Sequence, residues 1–407
     1  MTLARSPSNL SLGQATKVLK CFTDSGNRRQ FSKSARRNRQ SPSSSSGPES
    51  FAFAFDIDGV LCHGNQPLPA AREAIRTIRA IGSPYVFLTN GGGVSEDDKA
   101  ASLAQRLGYH PDDDVIRRRL ILSHSPFRDW SENAKNRRVL ITASNPETAR
   151  AVANEYGFTD AVTPADIIQN VENFYPFDRL MNITPHPHRR FSPEESRFHS
   201  ILVWNDPRDW SLDIQIIHDL LVSRQGHLGT ISNKNGDVSL PNKGWQQDGQ
   251  PSLWISNLDL FWKTEYPVNR FGTGAFVEAL KGVWSAVTDG AELKFQALGK
   301  PFGSAYGFAH KRILNHYHGT EGLDTNKLRR VYMIGDNPES DIRGANEFRP
   351  EDGTEWVPIL VRTGVWKKTT AEPEPRHRPA VIVDDVLEAV VWAINKEGRT
   401  LPVNLTA

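Results

Sequence analysis

The sequence predicts an α/β protein: a Rossmann-like, doubly wound parallel sheet into which a second α/β domain is inserted. Three observations predict it. Short apolar runs alternate with helix-period segments at both ends of the chain, which is the pattern of a parallel sheet wrapped by helices. Several of those runs stop abruptly in turns that carry acids, threonine, lysine or glycine, as strands do where a ligand sits at their carboxyl ends. Between them, residues 112–295 hold strand and helix signals of their own, enough for a further domain.

The elements follow in order. Residues 51–55 form the first strand, ending in Asp56-Ile57-Asp58-Gly59-Val60. Ala70, Ala71, Ala74, Ile75, Ile78 and Ile81 recur at helical spacing after Pro67 and Pro69, and Gly82-Ser83-Pro84 breaks that helix. Tyr85 to Leu88 is a second strand, ending in Thr89-Asn90-Gly91-Gly92-Gly93. Ser95 and Asp98 make a capping pair for a helix through Leu103 and Leu107 to Gly108. Within the insertion, strands are expected at 139–143, 201–204 and 254–256, with helices at 146–156 and 212–222 and from 274 onward. Pro185-His186-Pro187-His188 reads as a polar loop, without a thiol or third histidine nearby to make a metal site. Late in the chain, strands at 294–298, 330–334 and 356–361 end in Gly299-Lys300-Pro301, in Gly335-Asp336 through Asp341, and in Thr363-Gly364. Asp385 caps a final helix. The expected organisation is a leader at 1–47, a first core segment at 48–111, the inserted domain at 112–295 and a second core segment at 296–407.

Composition narrows the classes. With 38% hydrophobic and 24% charged residues, the chain of 407 has the make-up of a soluble protein, and no apolar run is long enough to span a bilayer. The net charge of +2 conceals a split: residues 1–47 hold nine Lys and Arg against Asp24 alone, leaving the remainder acidic. That argues against a nucleic-acid groove. The leader is rich in Arg and Ser and poor in acids, the composition of a mitochondrial transit peptide, and Arg29-Gln30-Phe31-Ser32 resembles a matrix-peptidase cleavage site. Ser41 to Ser46 reads as a flexible joint. Of the two cysteines, Cys21 lies in this leader, so Cys62 has no partner for a disulfide and a reducing compartment fits.

The strand-end residues suit phosphoryl transfer as a set. Asp56 and Asp58 point the same way because side chains on a strand repeat every second residue, and two such charges side by side are costly without a cation. Asp56, nearer the rigid strand, can attack phosphorus and form an aspartyl-phosphate. Asp58 can protonate the leaving oxygen and then deprotonate water. The Thr89 hydroxyl and the backbone N–H groups of the turn from Asn90 to Gly93, Gly91 among them, can hold phosphoryl oxygens. Lys300 can neutralise the nucleophile and the developing charge. Asp336 completes an oxygen-rich site for a hard divalent ion, Mg2+ by its chemistry, and Asp341 would orient or join the metal shell.

These four segments, Asp-x-Asp-Gly, strand-Thr-Asn, Gly-Lys-Pro and Gly-Asp-x4-Asp, resemble the motifs of the haloacid dehalogenase superfamily over residues 51 to about 397. Asp56-Ile57-Asp58-Gly59-Val60, Leu88-Thr89-Asn90-Gly91-Gly92 and Gly272-Thr273-Gly274-Ala275-Phe276 look like its subfamily IIA, whose members carry a large α/β (C2-type) cap where the insertion lies. Asn205 to Trp210, followed by Asp213-Ile214-Gln215, is similar to the mitochondrial branch named for the cat-eye-syndrome critical region. The resemblance implies a Mg2+-dependent phosphatase acting on a small phosphorylated metabolite, with Asp56 as nucleophile and Asp58 as acid and base. It implies phosphate contacts from Thr89 and Lys300, and metal contacts from Asp56, Asp336 and the Asp58 carbonyl. It admits a homodimer, since related caps mediate dimers, and a link to glycerophospholipid metabolism in the mitochondrial matrix.

Two departures stand out. Where the subfamily shows Asn-Pro-Asp, this chain has Asn257-Leu258-Asp259; these residues and Arg208 are the candidates for cap contacts to substrate. His63 follows the first motif where an apolar residue is expected. Two other functional classes compete. A catalytically silent protein that keeps the fold as a binding or assembly partner would carry these acids at a cost. A phospho-accepting signalling domain shares the Asp, Thr and Lys chemistry, but the paired acids and the insertion suit turnover.

Overall fold

Both faces of the central strand are apolar, and that decides the architecture. In Ser50–Phe55, Phe51, Phe53 and Phe55 enter one buried cluster while Ala52 and Ala54 enter another. The same alternation divides Tyr85 and Phe87 from Val86 and Leu88. A strand buried on both sides belongs in the middle of a parallel sheet covered by helices. The computed structural model, which describes residues 50–111, 113–171, 173–177, 196–318, 328–370 and 373–400, has this sheet. Its six strands lie in the spatial order Val381–Val383, Glu355–Val361, Leu328–Gly335, Ser50–Phe55, Tyr85–Leu88, Leu120–Ile121, all parallel. The phenylalanine side is covered by helices Ala71–Ala80 and Val386–Lys396, and the alanine side by helix Gly303–His318, whose Ala305, Tyr306, Ala309 and Ile313 fit against the small strand residues.

The insertion forms a second parallel sheet of five strands, ordered Gln296–Ala297, Ser252–Ile255, Ser200–Val203, Val139–Thr142, Ala161–Val162. Helices Pro146–Glu155, Trp210–Val222 and Thr273–Val287 wrap it, with Asn145 and Asp209 accepting the N-terminal amides of the first two. Trp204 lies fully buried against Phe127 and His124, so this tryptophan packs an interior; Trp262 instead borders a cavity. Glu96 fastens the two sheets together: it accepts from Ser125 and Arg128 and from the Tyr156 hydroxyl at 2.6 Å.

Sheet membership departs from the sequence boundaries in two places. Leu120–Ile121 pairs with Tyr85–Leu88, so the first sheet continues past residue 111. Gln296–Ala297, expected with the late core strands, pairs with Ser252–Ile255 in the second sheet. Both strands are two residues long, too short for local patterning to reveal their partners. Among the described residues, Cys62 is buried and free, and no helix is long and apolar enough to cross a membrane. The leader with Cys21, Arg29 and Phe31, and the loop with His186 and His188, lie outside the described residues.

Candidate active site

The carboxyl ends of both sheets open onto one cavity of about 370 Å³. Asp56, Asp58, Thr89, Asn90, Gly91 and Asp336 reach it from the first sheet. Ser144, Asn205, Asp206, Arg208, Asn257 and Asp259 reach it from strand ends of the second. The first-sheet ladder runs up to the site: Asp56 N–H donates to Ile334 O at 2.9 Å, fixing the carboxylate beside the Gly335-Asp336 turn.

Beneath the cavity floor lies the charged centre. Lys300, 1% exposed, donates to Asp56 Oδ1 and to Asp341 Oδ1, each at 2.7 Å. Asp341 Oδ2 accepts from the backbone N–H groups of Asp336 and Asn337 at 3.1 and 3.0 Å. Both oxygens of Asp341 are therefore engaged, so it holds the lysine and the turn in place. Asp336 Oδ2 accepts from Val365 N–H at 2.6 Å. Asp56, Asp336 and Asp341 present carboxylate oxygens within 4.8 Å of one another, all buried.

Three carboxylates against one ammonium leave a deficit of positive charge. Burial, then Asp56 and Asp341, push the Asp336 carboxyl well above its ordinary range. Burial likewise raises Asp341, against the field of Lys300. Burial alone would drive Lys300 toward neutrality, but Asp341 and Asp56 outweigh it and hold the amine firmly charged. A set of hard oxygen donors with excess negative charge fits a divalent cation of the Mg2+ kind. Asp58 stands apart from this cluster: burial lifts its carboxyl to about 6, against the field of Lys99 and with that of Asp56. It can thus carry a proton near neutral pH.

The Thr89 hydroxyl oxygen accepts from Gly91 N–H at 3.0 Å, which leaves its proton free to donate into the cavity. Asn90 has a task the sequence did not disclose. Its Oδ1 accepts from Lys300 N–H at 2.8 Å, and its Nδ2 donates to Lys300 O at 3.0 Å and Asp259 Oδ2 at 2.9 Å. The side chain clamps the lysine's backbone, which leaves the backbone of Asn90 as its part available to a ligand. Asn257 Nδ2 donates to Asn90 O, and its Oδ1 accepts from Asp259 N–H, so Asn257 and Asp259 tie the second sheet to the first across the site. Burial pushes the Asp259 carboxyl to about 7, against the field of Lys300. Arg208 is exposed at the rim. His63 bonds Thr363 O at 2.7 Å and does not border the cavity.

Sequence reasoning missed Lys99, Arg106, Gly64, Asn65, Phe261, Trp262 and Glu265, which also line it. The spacing of Lys99, Ser102 and Arg106 on one helix face was the available signal.

Two glycines cradle Asp336. A Cβ on Gly364 would lie 1.7 Å from its Oδ2, and one on Gly59, at φ +90°, would lie 2.4 Å away. Gly364→Ala should displace the carboxylate at a stability cost of about 1–3 kcal/mol. A divalent cation held by these oxygens should bind roughly tenfold or more weakly in the variant. Melting curves recorded across a Mg2+ titration check both.

Paired acids, a buried lysine between carboxylates and a metal-fitting floor at the carboxyl ends of a parallel sheet define a phosphoryl-transfer type of hydrolase site. A model described as haloacid dehalogenase-like hydrolase matches residues 53–159, and one described as HAD-hydrolase-like matches residues 297–389. A mitochondrial hydrolase of Saccharomyces cerevisiae is 34% identical over 85% of this chain and 96% of its own length. The chain belongs to the haloacid dehalogenase superfamily. A Schizosaccharomyces pombe protein, a fusion of cardiolipin synthase (CMP-forming) and a mitochondrial hydrolase, is 33% identical over 92% of this chain, which spans 58% of that longer protein. The fold is shared with a possible sugar phosphatase from Cytophaga hutchinsonii (TM-score 0.53, 15% identity, 84% of this chain and 95% of that one). It is shared also with a hypothetical protein of Pyrococcus horikoshii (TM-score 0.51, 17% identity, 84% and 99%).

Proposed function

We propose that the protein is a Mg2+-dependent phosphatase of a small phosphomonoester, acting in mitochondria through an aspartyl-phosphate on Asp56. The observation that carries this reading is Lys300, bonded at 2.7 Å to both Asp56 and Asp341, with Asp58 lining the same cavity as Asp56 and its carboxyl raised by burial to about 6.

A carboxylate oxygen of Asp56 attacks phosphorus as the bond to the leaving oxygen breaks, and Asp58 gives that oxygen its proton. Water then attacks the phosphorus, Asp58 takes the water's proton, and the bond to Asp56 breaks to release phosphate. Lys300 offsets charge on Asp56 and on the phosphoryl oxygens, while Thr89 and the backbone at 90–91 donate to those oxygens. Asp56, Asp336 and the Asp58 carbonyl would hold the cation, with Asp341 orienting the turn, and bound there it would supply further charge neutralisation. The second sheet closes the cavity from above, excluding water and shaping the choice of leaving group.

The mitochondrial assignment is supported by the basic leader and by the relatives' descriptions. Glycerophospholipid metabolism is favoured as the source of substrate by the fission-yeast relative, in which the hydrolase shares a chain with cardiolipin synthase.

The test is phosphate release by the full-length protein across a panel of phosphomonoesters, with Mg2+ and with EDTA. At least one good substrate should emerge, and EDTA should remove turnover by at least about 100-fold. A folded protein that releases no more phosphate than Asp56→Asn on the whole panel would sink the reading in favour of a silent binding protein.

A further inference from the structure

Lys99, Ser102 and Arg106 lie on one face of helix Glu96–Arg106, and Lys99 and Arg106 border the cavity. Lys99 is half-buried, and its ammonium forms no hydrogen bond or close ion pair among the described residues. Arg106 donates to Gly64 O at 2.8 Å and to Ser102 Oγ at 3.0 Å, and pairs closely with no carboxylate. Of the acids lining the same space, Asp58 feels the field of Lys99 without a close ion pair to it, and three others are already engaged. Asp206 accepts from the Thr273 hydroxyl, Asp259 from Asn90 and Asn337, and Glu265 from Asn65 N–H. Two half-buried cations at the edge of a cavity, without close counter-ions, are placed to meet an anionic group of a ligand.

Their position says which part of a substrate they meet. Lys99 Nζ and Asp58 Oδ2 lie 3.9 and 3.7 Å from the point where a Cβ on Gly91 would project. In the reaction above, Asp58 serves the bridging oxygen, so whatever hangs from that oxygen passes Lys99 first. Seven residues of helix carry Arg106 about 10 Å further along, to the tip formed by Gly64 and Asn65.

We infer that this protein selects phosphate monoesters whose leaving alcohol bears a second anionic group, a carboxylate or a phosphodiester, with Lys99 as its first contact and Arg106 as the contact for longer ones. The inference rests on the phosphatase reading and names its substrate class. Lys99 is a specificity residue: a charge-assisted hydrogen bond to the second anion should be worth roughly tenfold or more in kcat/KM.

The experiment compares kcat/KM of the full-length protein at saturating Mg2+ for three probes: glycerol 3-phosphate with an uncharged leaving group, 3-phosphoglycerate with a carboxylate, and glycerophosphoglycerol phosphate with a phosphodiester. The wild type should prefer at least one anionic probe by about tenfold or more, chiefly through KM, and the two anionic arms tell the sources apart. Lys99→Met should erase the preference and Lys99→Arg should retain it. A wild type without preference overturns the inference, as does a Lys99→Met variant that slows all three probes by one factor, which a field acting only on Asp58 would produce. Absence of phosphate release from every probe, with the protein folded, removes the phosphatase reading and the inference together. A competent but unselective phosphatase removes the inference alone.

Discussion

Asp56→Asn should lower phosphate release by about four orders of magnitude or more while leaving the fold intact. The amide keeps the shape of the carboxylate and its oxygen can still accept from Lys300, which retains Asp341 as a charged partner at 2.7 Å. It also removes one of three buried acids that repel each other. In EDTA the melting temperature should therefore equal or exceed that of the wild type. If the cation sits as proposed, the Mg2+-dependent rise in melting temperature should shrink, because one of its ligand oxygens becomes a weaker neutral donor. A folded variant that keeps more than about one hundredth of wild-type turnover would rule out Asp56 as the attacking group, and one that fails to fold would contradict the expected relief of charge repulsion.

Lys300→Met should be the more damaging change to the fold. Methionine approximates the length of the side chain but leaves Asp56, Asp336 and Asp341 together and buried without their ammonium. Removing one partner of a buried charge cluster costs about 3–5 kcal/mol. The pH dependence follows from the raised carboxyls. Asp336 and Asp341 hold protons more tightly in the folded protein than in the unfolded chain, and losing the lysine field raises them further. Groups with raised folded values favour the folded state below their unfolded values near 4 and lose that contribution as pH climbs through the folded ones. In EDTA the deficit of the variant against the wild type should thus be smallest near pH 5 and grow toward pH 8. Thermal melts across that range check it, and a deficit that shrank with rising pH would mean that the lysine does not compensate these acids. Turnover should fall by roughly 100- to 1,000-fold under saturating Mg2+.

The elements whose signals are local were readable from the sequence. Tyr85–Leu88 has the predicted limits, Ser95 accepts from Asp98 N–H as the capping pattern implied, and Asp385 caps the last helix. Asp56, Asp58, Thr89 and Asp336 come together because each follows an apolar run, and such runs end on the same side of a parallel sheet; Asp341 lies on the helical turn after Asp336, and Lys300 arrives from an edge strand of the second sheet. What stayed hidden depends on partners far along the chain. The side chain of Asn90 looked like part of an ordinary turn, and its three bonds reach residues 169 and 210 positions away. Glu265 looked like a loop acid, and meets Asn65 across 200 residues. Lys99 and Arg106 resembled the solvated face of a helix, because nothing local says which wall that helix presents to a cavity.

Lys300 follows directly from Gln296–Ala297, an edge strand of the second sheet, yet its backbone is gripped on both sides by Asn90 of the first. The lysine is thus delivered by one domain and owned by the other. Such a seam makes the insertion an interchangeable part. Much of what lies between residues 122 and 295 could be exchanged by recombination without disturbing the ammonium that balances Asp56 and Asp341, provided the newcomer returns its chain at the same doorway and keeps the bonds that Asn257 and Asp259 make to Asn90. A lineage built this way can trade one choice of leaving group for another while the machinery for breaking the phosphorus–oxygen bond passes unchanged between its members.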